Sequence, residues 1–111
     1  MNKVVYNACY GGFCISLKAV KWLAENGRDE IKAIAREYLR QSPYGTLFNC
    51  DDIQRHDPDL VRCVEALGYA ADGRFSNLKV RELKGNRYRI DEYDGYEEVY
   101  EPEDEEYITI E

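Results

Sequence analysis

Two groups of side chains in this sequence could do chemistry, and they lie at opposite ends of the chain. Near the start, Asn7, Cys9, Tyr10, Gly11 and Gly12 sit together. A glycine pair at the end of a strand can turn backbone N–H groups toward an anion. Asn7 and Tyr10 offer hydrogen bonds and a stacking ring, and Arg55, further on, could clamp a phosphate with two parallel bonds. That set reads as a pocket for a nucleotide. Near the end, Asp91-Glu92-Tyr93-Asp94-Gly95-Tyr96-Glu97 interleaves carboxylates with aromatic rings. Carboxylates at strand spacing approach the charge density of a nucleic-acid backbone, and tyrosines anchor interfaces at low entropic cost. That set (Asp91, Glu92, Tyr93, Asp94, Tyr96, Glu97) reads as a docking face for a basic groove.

Catalysis has thinner support. Cys9 and the single histidine, His56, can be written as a nucleophile and base, but no third group orients them, so no catalytic residue is assigned. The four cysteines, Cys9, Cys14, Cys50 and Cys63, are separated by four, thirty-five and twelve residues, which is no zinc spacing. Asp91, Glu92 and Asp94 lack the loop pattern of a calcium site. No metal and no cofactor are expected.

The charge distribution bears on partners. The formal net charge is −7, yet all 15 Lys and Arg precede Asp91, where they outnumber the acids by four. The remaining 21 residues hold 11 acids and no base. Such a field disfavours direct nucleic-acid binding, except through a patch of Lys18, Lys21, Arg36 and Arg40. No apolar run approaches the ~20 residues of a membrane span. Met1-Asn2-Lys3 leads straight into a strand without an export signal, so the expected compartment is a reducing bacterial cytoplasm with free thiols.

The elements that must hold these groups follow from periodicity. Val4-Val5-Tyr6 begins a strand, and Ser16 stands as the N-cap of a helix with Leu17, Val20, Leu23 and Ala24 on one side. Asp29 is expected to cap a second helix, with Ile31, Ile34, Ala35, Tyr38 and Leu39 on one stripe. Ser42 to Gly45 reads as a turn, and Thr46 to Arg55 as a loop. Asp57-Pro58-Asp59 opens a third helix carrying Leu60, Val61, Val64 and Leu67, which Gly68 closes. From Leu78 the period becomes two, with hairpin turns expected at Lys84-Gly85-Asn86 and Asp94-Gly95. The fold class is α+β: one domain, 1–111, of two to three helices packed on a mostly antiparallel sheet of three to five strands. Residues 102–111 form an acidic edge strand or tail. Exposed strand edges and tyrosines would also suit a homodimer.

The opening Lys3-Val4-Val5-Tyr6-Asn7-Ala8-Cys9-Tyr10-Gly11-Gly12-Phe13-Cys14-Ile15-Ser16 resembles that of a widespread family of small, uncharacterised tailed-phage and prophage proteins. Arg55-His56-Asp57-Pro58-Asp59-Leu60-Val61, Val64 to Gly68, Leu78-Lys79-Val80 and Ile90 to Glu97 continue the likeness over roughly half the chain. Trp22 to Asn49 departs from it, as does the acidic ending from Glu103. The resemblance implies a phage accessory protein in the host cytoplasm and carries no known activity. Three functions follow as expectations. The first is a direct, anti-CRISPR-like inhibitor of a host immune complex that uses the acidic-aromatic face. The second is a sponge for a nucleotide immune signal at the glycine turn, and the third is a small enzyme using Cys9.

Overall fold

The structure, a computed structural model, describes residues 2–41 and 52–102. The described residues form an α+β fold of three α-helices and four strands. The strands form two antiparallel pairs rather than one sheet: β1 (Lys3–Asn7) with β2 (Leu78–Glu82), and β3 (Arg89–Tyr93) with β4 (Tyr96–Tyr100). The expected turn at 42–45, Cys50 and the acidic stretch from 103 lie outside the described residues.

The helices start and stop where local chemistry directs. The Ser16 hydroxyl accepts the Ala19 N–H at 3.0 Å and opens α1 (Leu17–Asn26). Asp57 does the same for α3 (Pro58–Leu67) through the Asp59 N–H, with Pro58 in the first turn. Asp29 is not a cap. It lies inside the first turn of α2 (Asp29–Gln41), beside Glu30, where a carboxylate favours the positive end of the helix dipole.

One apolar core joins the helices to the first strand pair. Val5, Ile15, Val20, Leu23, Leu60 and Cys63 are among its fully buried members, with Ile31 and Ala35 contributed by α2. A smaller cluster of Val4, Leu83 and Val99 links β1 to the second pair.

The hairpin expected at Lys84-Gly85-Asn86 is a correction. The favoured two-residue hairpin turns need positive φ at one or both central positions. No residue from 84 to 86 adopts it, whereas Asp94 (φ 53°) and Gly95 (φ 91°) both do. The N–H groups of Lys84 and Gly85 instead donate to the Glu101 carboxylate at 2.9 and 3.3 Å. The segment after β2 is therefore a loop wrapped on a buried acid, and β2 spends its ladder on β1.

Candidate functional site

The strand nearest the site is β1, whose free edge would otherwise expose unpaired N–H groups. Val5 donates to the Arg55 carbonyl at 2.8 Å, and Asn7 donates to Glu97 Oε1 at 2.8 Å. The Arg55 guanidinium closes the arrangement with bonds of 2.6 and 2.9 Å to the two oxygens of Glu97. It also stacks 3.5 Å above the Phe13 ring. Glu97, 4% exposed, is thus an edge cap neutralised by an arginine.

Asn7 is equally committed. Its Nδ2 donates to the carbonyls of Cys9 and Gly95 at 2.8 and 2.9 Å. Its Oδ1 accepts from the Asn77 N–H at 2.8 Å and from the Cys9 thiol at 3.4 Å. The side-chain amide is saturated and fully buried. The single Cys9 thiol proton is shared between Asn7 Oδ1 and the Phe75 carbonyl, the latter 2.9 Å from the sulfur, while His56 shares a 2.7 Å hydrogen bond with the Tyr88 hydroxyl. Neither makes a bond with the other.

These contacts bring the two ends of the chain together. A Cβ on Gly95 would lie 2.5 Å from the Tyr10 carbonyl oxygen and 2.7 Å from the Gly12 nitrogen, so the β3–β4 turn rests directly on the glycine turn. Gly11 is packed more closely still, its Cβ position overlapping the Phe75 carbonyl at 1.7 Å. Gly12, at φ 90°, has open space where a side chain would stand. The ring of Tyr10 projects outward, 67% exposed, and meets Tyr96 at 5.2 Å between centroids.

The outward face of the second strand pair is built in three cross-strand rows. Arg89 lies opposite Tyr100, with its guanidinium 5.0 Å from the ring. Asp91 lies opposite Glu98, and Tyr93 opposite Tyr96. Tyr10, Glu92 and the row residues other than Arg89 line a cleft of about 560 Å³. Glu98 accepts from the Tyr100 hydroxyl, and that bond, followed by the Glu98 charge, raises the Tyr100 pKa. Asp91 accepts from Arg89 at 3.2 Å. Glu92 and Asp94 are exposed and form no ion pair among the described residues.

The inward face has the opposite character. Glu97, Val99 and Glu101 point in, and each acid meets an arginine: Glu97 meets Arg55, and Glu101 meets Arg81 at 3.3 Å. Of the six residues read as an acidic docking face, five lie on the cleft or its turn, and Glu97 does not. Of the six read as a nucleotide pocket, only Tyr10 reaches the cleft. Asn7 and Arg55 are spent inside.

The burial of Glu101 and of Asp59 was not foreseen from the sequence. The parity of Val99 carried the signal for Glu101, since residues two apart on a strand share a face. Asp59, 1% exposed, is gripped by the Arg28 N–H and Nε, both at 2.9 Å, and by Arg62. Burial opposes its charge, but these bonds outweigh burial and hold the carboxyl below its ordinary value. Burial alone pushes the Cys63 thiol up to about 12. Among the described residues no cluster of His, Cys, Asp and Glu is arranged to hold a metal, and no helix is long and apolar enough to cross a membrane.

No family model, curated protein or solved structure matches the chain.

Proposed function

We propose that this chain works by docking its acidic, tyrosine-lined cleft onto a basic groove of a nucleic-acid-handling protein. The observation that carries the reading is the sorting of acids on the β3–β4 pair and the residues that border it. Inward acids are each matched by a half-buried arginine, whereas Glu92, Asp94 and the opposed Asp91 and Glu98 face solvent among tyrosine rings, with the exposed Arg89 on Asp91 as their one cation among the described residues. Like charges placed directly across a strand pair cost stability, and a cationic partner relieves that cost. The tyrosines supply rigid contact area around the charges.

The phage-like opening of the sequence directs the proposal toward a host immune complex, such as a CRISPR effector, whose nucleic-acid groove the face would occupy. The nucleotide-sponge reading is weaker, because Asn7 and Arg55 are occupied by internal bonds and carboxylates surround the one accessible ring of that set. Carboxylates repel phosphate. An enzyme built on Cys9 has no base in hydrogen-bonding contact with its thiol among the described residues.

The test is site-specific crosslinking in the bacterial host. A photo-crosslinking residue replaces Tyr93, 79% exposed on the cleft, or Tyr69, 91% exposed beyond α3, as a control. The proposal expects position 93 alone to capture a nucleic-acid-binding protein, with capture competed by that protein's own DNA or RNA. Equal capture at both positions, or capture indifferent to nucleic acid, would contradict it.

A further inference from the structure

A second cavity, of about 470 Å³, lies away from the acidic cleft, between the start of β1, one face of α3 and the loop that follows β2. Its apolar lining comes from Val61, Leu83 and the ring of Tyr88. Its polar lining includes Lys3, His56 and Arg62, and no acid is among the lining residues. In a chain of net charge −7 the lining itself carries two cations, a histidine and no carboxylate, the acids paired with those cations, Glu65 and Asp59, standing outside the lining.

The groups around it are arranged to receive rather than only to stabilise. Pro58, Val61 and Arg62 are spaced i, i+3, i+4 on α3 and so present one face to the cavity. Tyr88 meets His56 edge-on, 5.6 Å between centroids, and its hydroxyl occupies Nδ1, which leaves Nε2 as the ring's remaining polar atom. Lys3 is tied to Glu65 at 2.9 Å through an exposed pair, which contributes little and yields readily to a competing anion. Arg62 gives one nitrogen to Asp59 and has further N–H donors. The cavity falls within the range that suits small organic ligands.

We infer that this cavity binds an amphipathic organic anion, with a phosphate or carboxylate head on Arg62, His56 and Lys3 and a flat apolar body against Val61, Leu83 and Tyr88. The site is separate from the acidic docking face and stands or falls independently of it.

The experiment is a two-dimensional amide NMR titration of the full chain with naphthyl phosphate. Parallel titrations use inorganic phosphate (head alone) and naphthol (body alone). Naphthyl phosphate is expected to shift the signals of Lys3, Val61, Arg62 and Leu83 saturably, and to bind at least about tenfold more tightly than either fragment. Arg62→Gln and the exposed His56→Gln should each weaken it by about tenfold, through loss of a charge-assisted bond. Arg74→Gln, an exposed arginine outside the cavity lining, should leave it unchanged. The same spectra report whether each variant is folded, and the two cavity variants serve as independent checks. Shifts centred elsewhere, naphthol binding as tightly as its phosphate ester, or folded Arg62→Gln and His56→Gln that bind like Arg74→Gln would overturn the assignment.

Discussion

Glu97 and Arg55 form a two-bond ion pair that closes the open edge of β1, one oxygen of Glu97 also taking the Asn7 N–H. The pair ties the loop before α3, β1 and β4 into one unit. It also marks the two faces of a single strand, because the neighbouring Glu98 lines the outward cleft.

Removing Glu97 should therefore damage the fold. Glu97→Ala leaves Arg55 without its partner and Asn7 without an acceptor, and is expected to cost about 2–4 kcal/mol. Urea unfolding followed by circular dichroism measures this. A loss no larger than that of an ordinary surface substitution would show that the edge cap does not matter.

The glycines should rank by what a methyl group meets. Gly11→Ala collides with the Phe75 backbone, and Gly95→Ala adds strain at φ 91° to a collision with the Tyr10 carbonyl. Gly12→Ala meets open space and carries only the cost of its positive φ, of order 1 kcal/mol. Thermal melting should place Gly12→Ala nearest the parent protein. The opposite order would mean that the two turns do not pack as described.

Acid should weaken the fold partly through Asp59. Burial opposes the charge of this carboxyl, yet bonds from Arg28 and Arg62 set its folded pKa below the ordinary 3.8. The unfolded chain then binds more protons in that range, so the contribution is complete above pH 3.8 and is lost as pH falls through the lower folded value. Asp59→Asn should flatten the dependence of urea stability on pH in this window. An unchanged slope would remove Asp59 from the account.

Thiol reactivity should follow burial. Cys63, with its pKa near 12, and the buried Cys14 are expected to resist iodoacetamide at pH 8 in the folded protein, while the partly exposed Cys9 is alkylated. Peptide mapping reads this directly. Rapid labelling of Cys63 would place α3 outside the core.

Much of this arrangement was legible in the residues, for reasons that are local. Ser16, Asp57-Pro58 and Asp94-Gly95 act through bonds or dihedral angles within a few positions, so their roles as caps and a turn are written in sequence order. The roles of Asn7, Arg55 and Glu97 are set by partners far along the chain. Residue type alone made them resemble ligand-binding groups, because a buried polar bond and a ligand bond use the same atoms. The Lys84-Gly85-Asn86 turn failed for the same reason: its N–H groups answer to Glu101, beyond two further strands.

The most direct test of the docking account uses the opposed carboxylates Asp91 and Glu98. Glu98→Lys turns a like-charge row into a complementary one, so the chain should be as stable as before or more stable by about 0.2–1 kcal/mol. Crosslinking from position 93 in this background should nevertheless fall to the level of the position 69 control, because the cleft would then repel a basic groove. A folded Glu98→Lys protein that still captures the same nucleic-acid-binding partner at full yield would contradict the claim that this acidic, tyrosine-lined cleft is the docking surface.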